Sequence, residues 1–170
     1  RVWQKGEKAM YHAGDYVVRN GRGVCRVEDV EYLGARQYYL LVPLGDRTDK
    51  LYVPVDLEES LLRDVISPED AWHTIQSIPE IEGMAVADDK SREQSYKEAI
   101  RSGQPVALIQ VIKRIYQRNR QRVSQGKDVM DMDKRYCRLA EDKLHEELAF
   151  ALGREKSEMP ALIKSAIEKH

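Results

Sequence analysis

Between residues 11 and 57 the apolar positions alternate with polar ones at the two-residue period of half-buried strands. Tyr16-Val17-Val18-Arg19 is followed by Asn20-Gly21-Arg22-Gly23, a turn signal whose two glycines are free to take positive φ. Val24 to Tyr32 then sets Cys25 and Val27 on one side against Arg26 and Glu28 on the other. Gly34-Ala35-Arg36 turns the chain into Gln37 to Leu44, rich in Tyr and Leu. After the Gly45-Asp46 turn, Lys50 to Val55 supplies a last short strand. Short strands with tight turns predict a small, strongly bent antiparallel sheet or open barrel. Such a sheet leaves an edge exposed, which is either a liability or a docking site.

From Ser67 the period becomes helical. Ser67-Pro68-Glu69-Asp70 is a start signal, with Ser as N-cap, Pro at the first helical position and acids in the first turn. Ala71, Trp72, Ile75 and Ile78 form its apolar stripe, so Trp72 reads as a core residue, and Pro79 stops it. Residues 79–88 read as a loop. Further helices are predicted over Asp89–Arg101, Pro105–Ser124, Asp131–Leu152 and Ser157–Glu168, with Gly103, Gly126 and Gly153 as stops. The fold class expected is α+β: an antiparallel β domain over 10–65, then an α-helical bundle over 66–170. Arg1–Ala9 has no clear period and reads as an upstream extension, in which Trp3 carries little functional weight.

Composition narrows the function. The 170 residues suffice for one ordinary domain or two small ones, and with one Phe and two Trp the cores must rest on Val, Leu and Ile. A charged fraction of 34% with net charge −1 is that of a globular chain, and it excludes a surface coated in basic charge. Any nucleic-acid contact must therefore come from a local patch. Cys25 and Cys137 have no metal-ligand spacing and read as reduced, part-buried thiols. No apolar run approaches the roughly 18 residues of a membrane span, and no secretory segment is evident, so the expected location is cytoplasmic. His12, His73, His145 and His170 are scattered, and the pairs Glu58-Glu59 and Glu146-Glu147 are adjacent and point to different faces. The expectation is a non-enzymatic monomer with no cofactor, metal or membrane partner.

The clearest chemical signal is residues 105–126, where Lys113, Arg114, Arg118, Arg120 and Arg122 occur with no acid before Asp128. On a helix Arg114, Arg118 and Arg122 form one ridge, while Leu108, Ile112 and Ile115 face the core. Like charges along one face cost helix stability, so the ridge predicts an anionic partner. Lys134 on the next helix, and Arg92, Lys97 and Arg101 on the preceding one, would widen the patch. Neutralising around five phosphates would give a slope of log K on log salt near −4 to −5. Such contacts give affinity and position rather than base reading. The alternative is a solvated face paired with Glu141, Asp142, Glu146 and Glu147.

Gly14-Asp15-Tyr16-Val17-Val18, Gly21-Arg22-Gly23-Val24 and Val27-Glu28-Asp29-Val30-Glu31 resemble the opening of CarD-like domains, which also occur in transcription-repair coupling factors. Tyr52-Val53-Pro54-Val55-Asp56 and Leu62-Arg63 match the end of the same module. In the helical half, Ser102-Gly103, Leu139-Ala140-Glu141 and Glu147-Leu148-Ala149-Phe150-Ala151-Leu152 look like the helical domain of CdnL-type regulators. The resemblance spans residues 10 to about 153. The chain has no G-x-x-x-x-G-K-[ST] phosphate loop, so it resembles the short form and not a full coupling factor.

The resemblance implies a Tudor-like sheet that binds the β subunit of RNA polymerase, and a helical domain that contacts promoter DNA at the upstream edge of the melted bubble. On the sheet it implicates Glu31–Gln37 and Lys50–Val53, and within them Leu33, Arg36, Lys50, Tyr52 and Val53. Some relatives carry arginines at the positions of Leu33 and Tyr52, a role that Arg36 and Lys50 could take. Arg118 and Lys134 fall on basic positions that contact DNA in the family. One departure stands out. Relatives wedge a Trp into the minor groove from a position that falls here at about Asp89. A different wedge, Met84 or Tyr96, or phosphate contacts alone, would have to serve. The implied function is stabilisation of the open promoter complex, at the nucleoid through RNA polymerase. The alternatives are an adaptor whose helical half binds another protein, and a repressor using the same contacts, between which the residues do not choose.

Overall fold

The computed structural model describes residues 9–168. The expectations for residues 1–8, Trp3 among them, lie outside the described residues. The chain divides into two compact units, Arg1–Val65 and Ile66–His170, and the fold is α+β.

The first unit is a five-stranded antiparallel sheet. Its strands are β1 (Tyr16–Arg19), β2 (Gly23–Leu33), β3 (Arg36–Pro43), β4 (Leu51–Pro54) and β5 (Leu62–Asp64), in the order β4-β3-β2-β1-β5. Pairing Val17 with Cys25, Val27 with Leu41 and Tyr39 with Val53 gathers these buried side chains on one face. The register shifts between Val27 and Asp29, so the inward set changes from Cys25 and Val27 to Val30. A bulge of this kind flips the face that alternation alone would assign. A 3-10 turn (Val55–Leu57) and the four-residue α1 (Glu58–Leu61) then lead into β5, which pairs with β1 through Val18 and Arg63. These pieces are too short for a readable period, and the sequence reading did not foresee them.

The extension assigned to residues 1–9 ends too late. Ala9 is buried and packs in the sheet core with Tyr11. The segment is anchored by polar contacts: Tyr39 O–H and Met10 N–H both donate to Glu58 Oε2, and Tyr11 N–H donates to Tyr39 Oη at 3.1 Å. Tyr11 O–H donates to Asp64 Oδ1 at 2.8 Å. Burial, then the neighbouring carboxylates, pushes both phenols well above the ordinary range.

The second unit is helical. Ser67 Oγ accepts the Asp70 N–H at 3.1 Å and caps α2 (Pro68–Ser77), with Pro68 at the first position. A 3-10 turn (Ile78–Glu80) and an irregular stretch lead to α3 (Asp89–Ser102), α4 (Pro105–Ser124) and α5 (Asp131–Leu152). Gly103 and Gly153 close α3 and α5 at φ of 65° and 64°, a backbone state that side chains disfavour. The last helix starts later than the spacing suggested: a 3-10 turn (Lys156–Glu158) precedes α6 (Met159–Glu168). The core joins Ile75, Tyr96, Leu108, Val111, Ile115, Leu148 and Met159, and Trp72 packs against it partly buried.

The stretch after α2 lies tight on α4. Met84 N–H donates to Gln110 O at 3.0 Å, and a Cβ at Gly83 would stand 3.0 Å from Gln117 Oε1 and 3.3 Å from Arg114 N. Cys25 and Cys137 are free and buried. Among the described residues no helix is long and apolar enough to cross a membrane, and no group of three or more His, Cys, Asp or Glu is placed to hold a metal.

Candidate docking edge and cationic surface

On the sheet, β4 lies at an edge with β3 as its strand neighbour. Leu33 opposes Arg36, and Tyr52 opposes Leu40, so the two-residue period places Leu33, Arg36, Tyr38 and Tyr52 on the face opposite the core. Leu33 and Tyr52 are each about half exposed, at 50% and 51%. The Tyr38 and Tyr52 rings meet edge to face at 6.4 Å, and the Arg36 guanidinium sits 5.6 Å from the Tyr38 centroid. Arg36 also donates to Asp56 Oδ1 at 3.1 Å, which holds it over the ring. Lys50 is exposed just before β4. Val53 is a correction: its side chain is buried against Tyr39, so only its backbone lies on the edge. Tyr32, exposed near the hairpin tip, lies within the implicated stretch Glu31–Gln37 without having been singled out there.

The basic ridge turns out to be largely internal. Arg92 is only 4% exposed, and its Nε lies 3.5 Å from Asp133 Oδ1. Its Nη1 contacts Asp89 Oδ1 at 2.6 Å. Arg118 donates from Nε to Asp133 Oδ2 at 3.1 Å, and its Nη1 stands 3.9 Å from the same Asp89 oxygen. Both arginines direct Nη2 at the Met130 sulfur, at 3.5 and 3.4 Å. Asp133 is fully buried, and the Tyr96 hydroxyl lies beside it short of hydrogen-bond geometry. Burial and then the Asp133 charge push that phenol up to about 12.

Arg92 and Arg118 are thus held by α3, α4 and α5 to neutralise a buried acid, contrary to the expectation of open DNA contacts. Lys113 is likewise withdrawn, donating Nζ to the Ile78 and Ile81 carbonyls after α2. Arg114 is half-buried, with Nε inaccessible and without a hydrogen bond. Arg122 donates Nε to Asp128 O at 2.7 Å. Three of the α5 acids offered as partners have contacts elsewhere. Glu141 accepts from Tyr116 and Cys137, Asp142 pairs with Lys156, and buried Glu147 accepts the Ile66 N–H. Of the eight cations expected at DNA, those left on the surface are Lys97 and Arg101, one turn apart on α3, and Lys134 on α5; Lys90, Arg120, Lys127 and Arg138 are among the other exposed cations of the unit. Neither suggested wedge is available: Tyr96 is fully buried, and Met84 packs partly buried against the core.

The inward turn had a readable signal. Arg118 follows Ile115 by three residues and Val111 by seven, so it continues the buried row of α4. Asp133 precedes Tyr136, Cys137 and Ala140 by three, four and seven on α5, and Arg92 precedes Tyr96 and Ala99 in the same way on α3. A ridge at i, i+4, i+8 fixes only that its members share a face, not which face. The core row ran through Arg118.

A five-stranded antiparallel sheet with aromatic residues on its outer face and an edge strand has the features of a strand-edge docking surface. The family model of the CarD-like/TRCF RID domain matches residues 11–66, so the first unit carries a domain of that family. Domains of that family are Tudor-like and interact with the β subunit of RNA polymerase; at this level the chain has an RNA-polymerase-interacting, transcription-related role. The match stops where the helical unit starts. No curated protein matches the chain.

Proposed function

We propose that the protein is a non-enzymatic, monomeric transcription regulator. It docks on the β subunit of RNA polymerase through β4 and the face carrying Leu33, Arg36 and Tyr52, and contacts promoter DNA through cations of the helical unit. The observation that carries the docking half is the joint exposure of Leu33 and Tyr52 beside an edge strand, within a domain of a polymerase-binding family. Backbone pairing along such an edge gives affinity, and the side chains beside it give specificity. The DNA half is supported by Lys97, Arg101 and Lys134 on the surface. With Arg92, Lys113 and Arg118 engaged inside the unit, about three phosphates are within its means, a salt slope near −3 rather than −5. Contacts of that kind are largely sequence-independent and hold the upstream edge of the bubble, lengthening the life of the open complex at the nucleoid.

Open-complex lifetimes with the cognate polymerase, measured at two salt concentrations, test this. The wild-type protein should lengthen the lifetime at low salt and lose the effect at high salt. Lys97→Glu with Arg101→Glu and Lys134→Glu should abolish it while polymerase binding survives. An effect untouched by the triple change would refute the DNA half.

A second reading has an observation of its own. The helical unit carries an apolar groove of about 570 Å³ walled by Ile78, Ile109, Ile112, Leu144 and Ile163. This favours an adaptor whose helical unit holds a second protein; a polymerase complex that leaves no footprint on promoter DNA would support it.

A further inference from the structure

The apolar groove of the helical unit continues beyond the pocket at its centre. Ile109, Ile112 and Tyr116 of α4 line that pocket, and Asn119 lines the hollows that adjoin it. The same spacing of three and four reaches Val123, so the five residues share one stripe about 21 Å long. Its far end is open: Tyr116 is 51% and Val123 62% exposed. Opposite runs α5, where Lys134, Arg138, Glu141 and His145, spaced four, three and four, line the adjoining hollow. Tyr116 O–H donates to Glu141 Oε1 at 3.2 Å and joins the two walls.

Both walls are helices, which limits what can lie between them. Their backbone groups are already paired, so an extended segment would bury its own peptide groups without partners. A helix satisfies its backbone internally and offers side chains at the same spacing of three and four. Charge narrows the occupant further. Five cations, Lys113, Arg120, Lys134, Arg138 and Lys164, line the groove and its hollows against two acids, Glu141 and Asp142. Both acids are engaged, Glu141 by Tyr116 and Cys137, and Asp142 by Lys156. Lys113 donates to neutral carbonyls, and Arg120, Arg138 and Lys164 form no ion pair with a described residue. DNA would meet the same cations, but its phosphates gain nothing from the apolar stripe they border.

We propose that this groove takes an acidic amphipathic helix of a partner protein, its apolar side chains on the α4 stripe and its carboxylates beside Arg120 and Arg138. The proposal rests on the reading of the groove as a protein-binding site and adds the partner's chemistry to it. Lys97 and Arg101 stand on α3, outside the groove, so substitutions can separate this contact from the one with DNA.

The test uses the full chain and two synthetic peptides of about four helical turns, both with Leu at heptad positions a and d. One carries Glu at the flanking e and g positions and the other Lys, and like charges there keep each peptide from pairing with itself. Affinity is read by fluorescence anisotropy, and the bound face by NMR shifts of the Val123 methyls and the Tyr116 ring. The Glu peptide should bind roughly tenfold more tightly than the Lys peptide, the scale of reversing two exposed charge pairs. Val123→Glu should weaken the Glu peptide by roughly tenfold, and Arg120→Glu with Arg138→Glu should reverse the preference between peptides. All three positions are exposed, so the variants should keep the fold, which circular dichroism checks. Equal binding of both peptides, with the Val123 and Tyr116 signals moved, would overturn the acidic partner and leave the groove a docking face. If neither peptide moves those signals, the partner and the docking groove fall together. If neither binds and Arg120→Glu with Arg138→Glu abolishes binding to fork-junction DNA, the rim belongs to DNA and the proposal is overturned.

Discussion

Glu58 in the sheet unit and Asp133 in the helical unit are both buried carboxylates, and the chain accommodates them in opposite ways. Glu58 takes its hydrogen bonds from neutral donors, the Tyr39 hydroxyl and the Met10 backbone. Asp133 is held by the guanidiniums of Arg92 and Arg118. The first arrangement is closed within the sheet unit, and it fastens Met10 and Tyr11 to β3, α1 and β5. The second is open, because two cations for one buried acid leave charge that emerges at Asp89. The clasp of neutral donors contributes stability, whereas a buried charge cluster adds little net stability against an apolar core of similar volume.

The comparison can be broken most forcefully at Asp133. Asp133→Ala leaves two buried guanidiniums facing each other, and should cost the helical unit about 3–5 kcal/mol in denaturant unfolding. A loss under 1 kcal/mol would mean that the arginines escape to solvent and that the cluster is not a unit.

Tyr39→Phe comes next. It takes the O–H from Glu58 and the acceptor from Tyr11 N–H, for about 1–3 kcal/mol, with hydrogen exchange rising first at residues 9–12. Uniform loosening of the sheet, with no early opening of that segment, would contradict the clasp.

Joint replacement of Arg92 and Arg118 by Met and of Asp133 by Leu sharpens the contrast in the other direction. Stability should stay within about 1 kcal/mol of wild type, or rise. A loss of more than about 3 kcal/mol in denaturant unfolding would show that the charged cluster stabilises the unit better than an apolar replacement.

The smallest effect concerns pH. Burial lowers the pKa of His145 below its ordinary 6.5, against the opposing pull of Glu141 and with help from Lys156. The unfolded chain therefore takes up the proton first as pH falls, and stability present above 6.5 is lost as pH drops through the lowered folded value. His145→Gln should flatten that part of the acid limb in thermal melts; an unchanged acid limb would mean the imidazole is solvated in the native state.

Much of the architecture could be read from the order of residues. Strand period, the Ser67-Pro68 start and the glycine stops placed β1 and the helices α2 to α5 to within a residue or so, because each rests on local backbone chemistry. The Leu33, Arg36 and Tyr52 face was legible through the resemblance to CarD-like domains, and the register of β3 with β2 and β4 is what puts the three together. Val53 was misjudged because membership of an edge strand does not say which way a side chain points. Three features were decided only in three dimensions: the bulge that reverses β2, the docking of Ala9 and Tyr11 on the sheet, and the charge cluster at Asp133. Periodicity reports which residues share a face of one element. Whether a cation on that face meets water or a buried acid from another helix depends on what packs against it. In this protein that difference converts five of the eight cations proposed for DNA into groups wholly or partly engaged inside the helical unit, leaving Lys97, Arg101 and Lys134 outside.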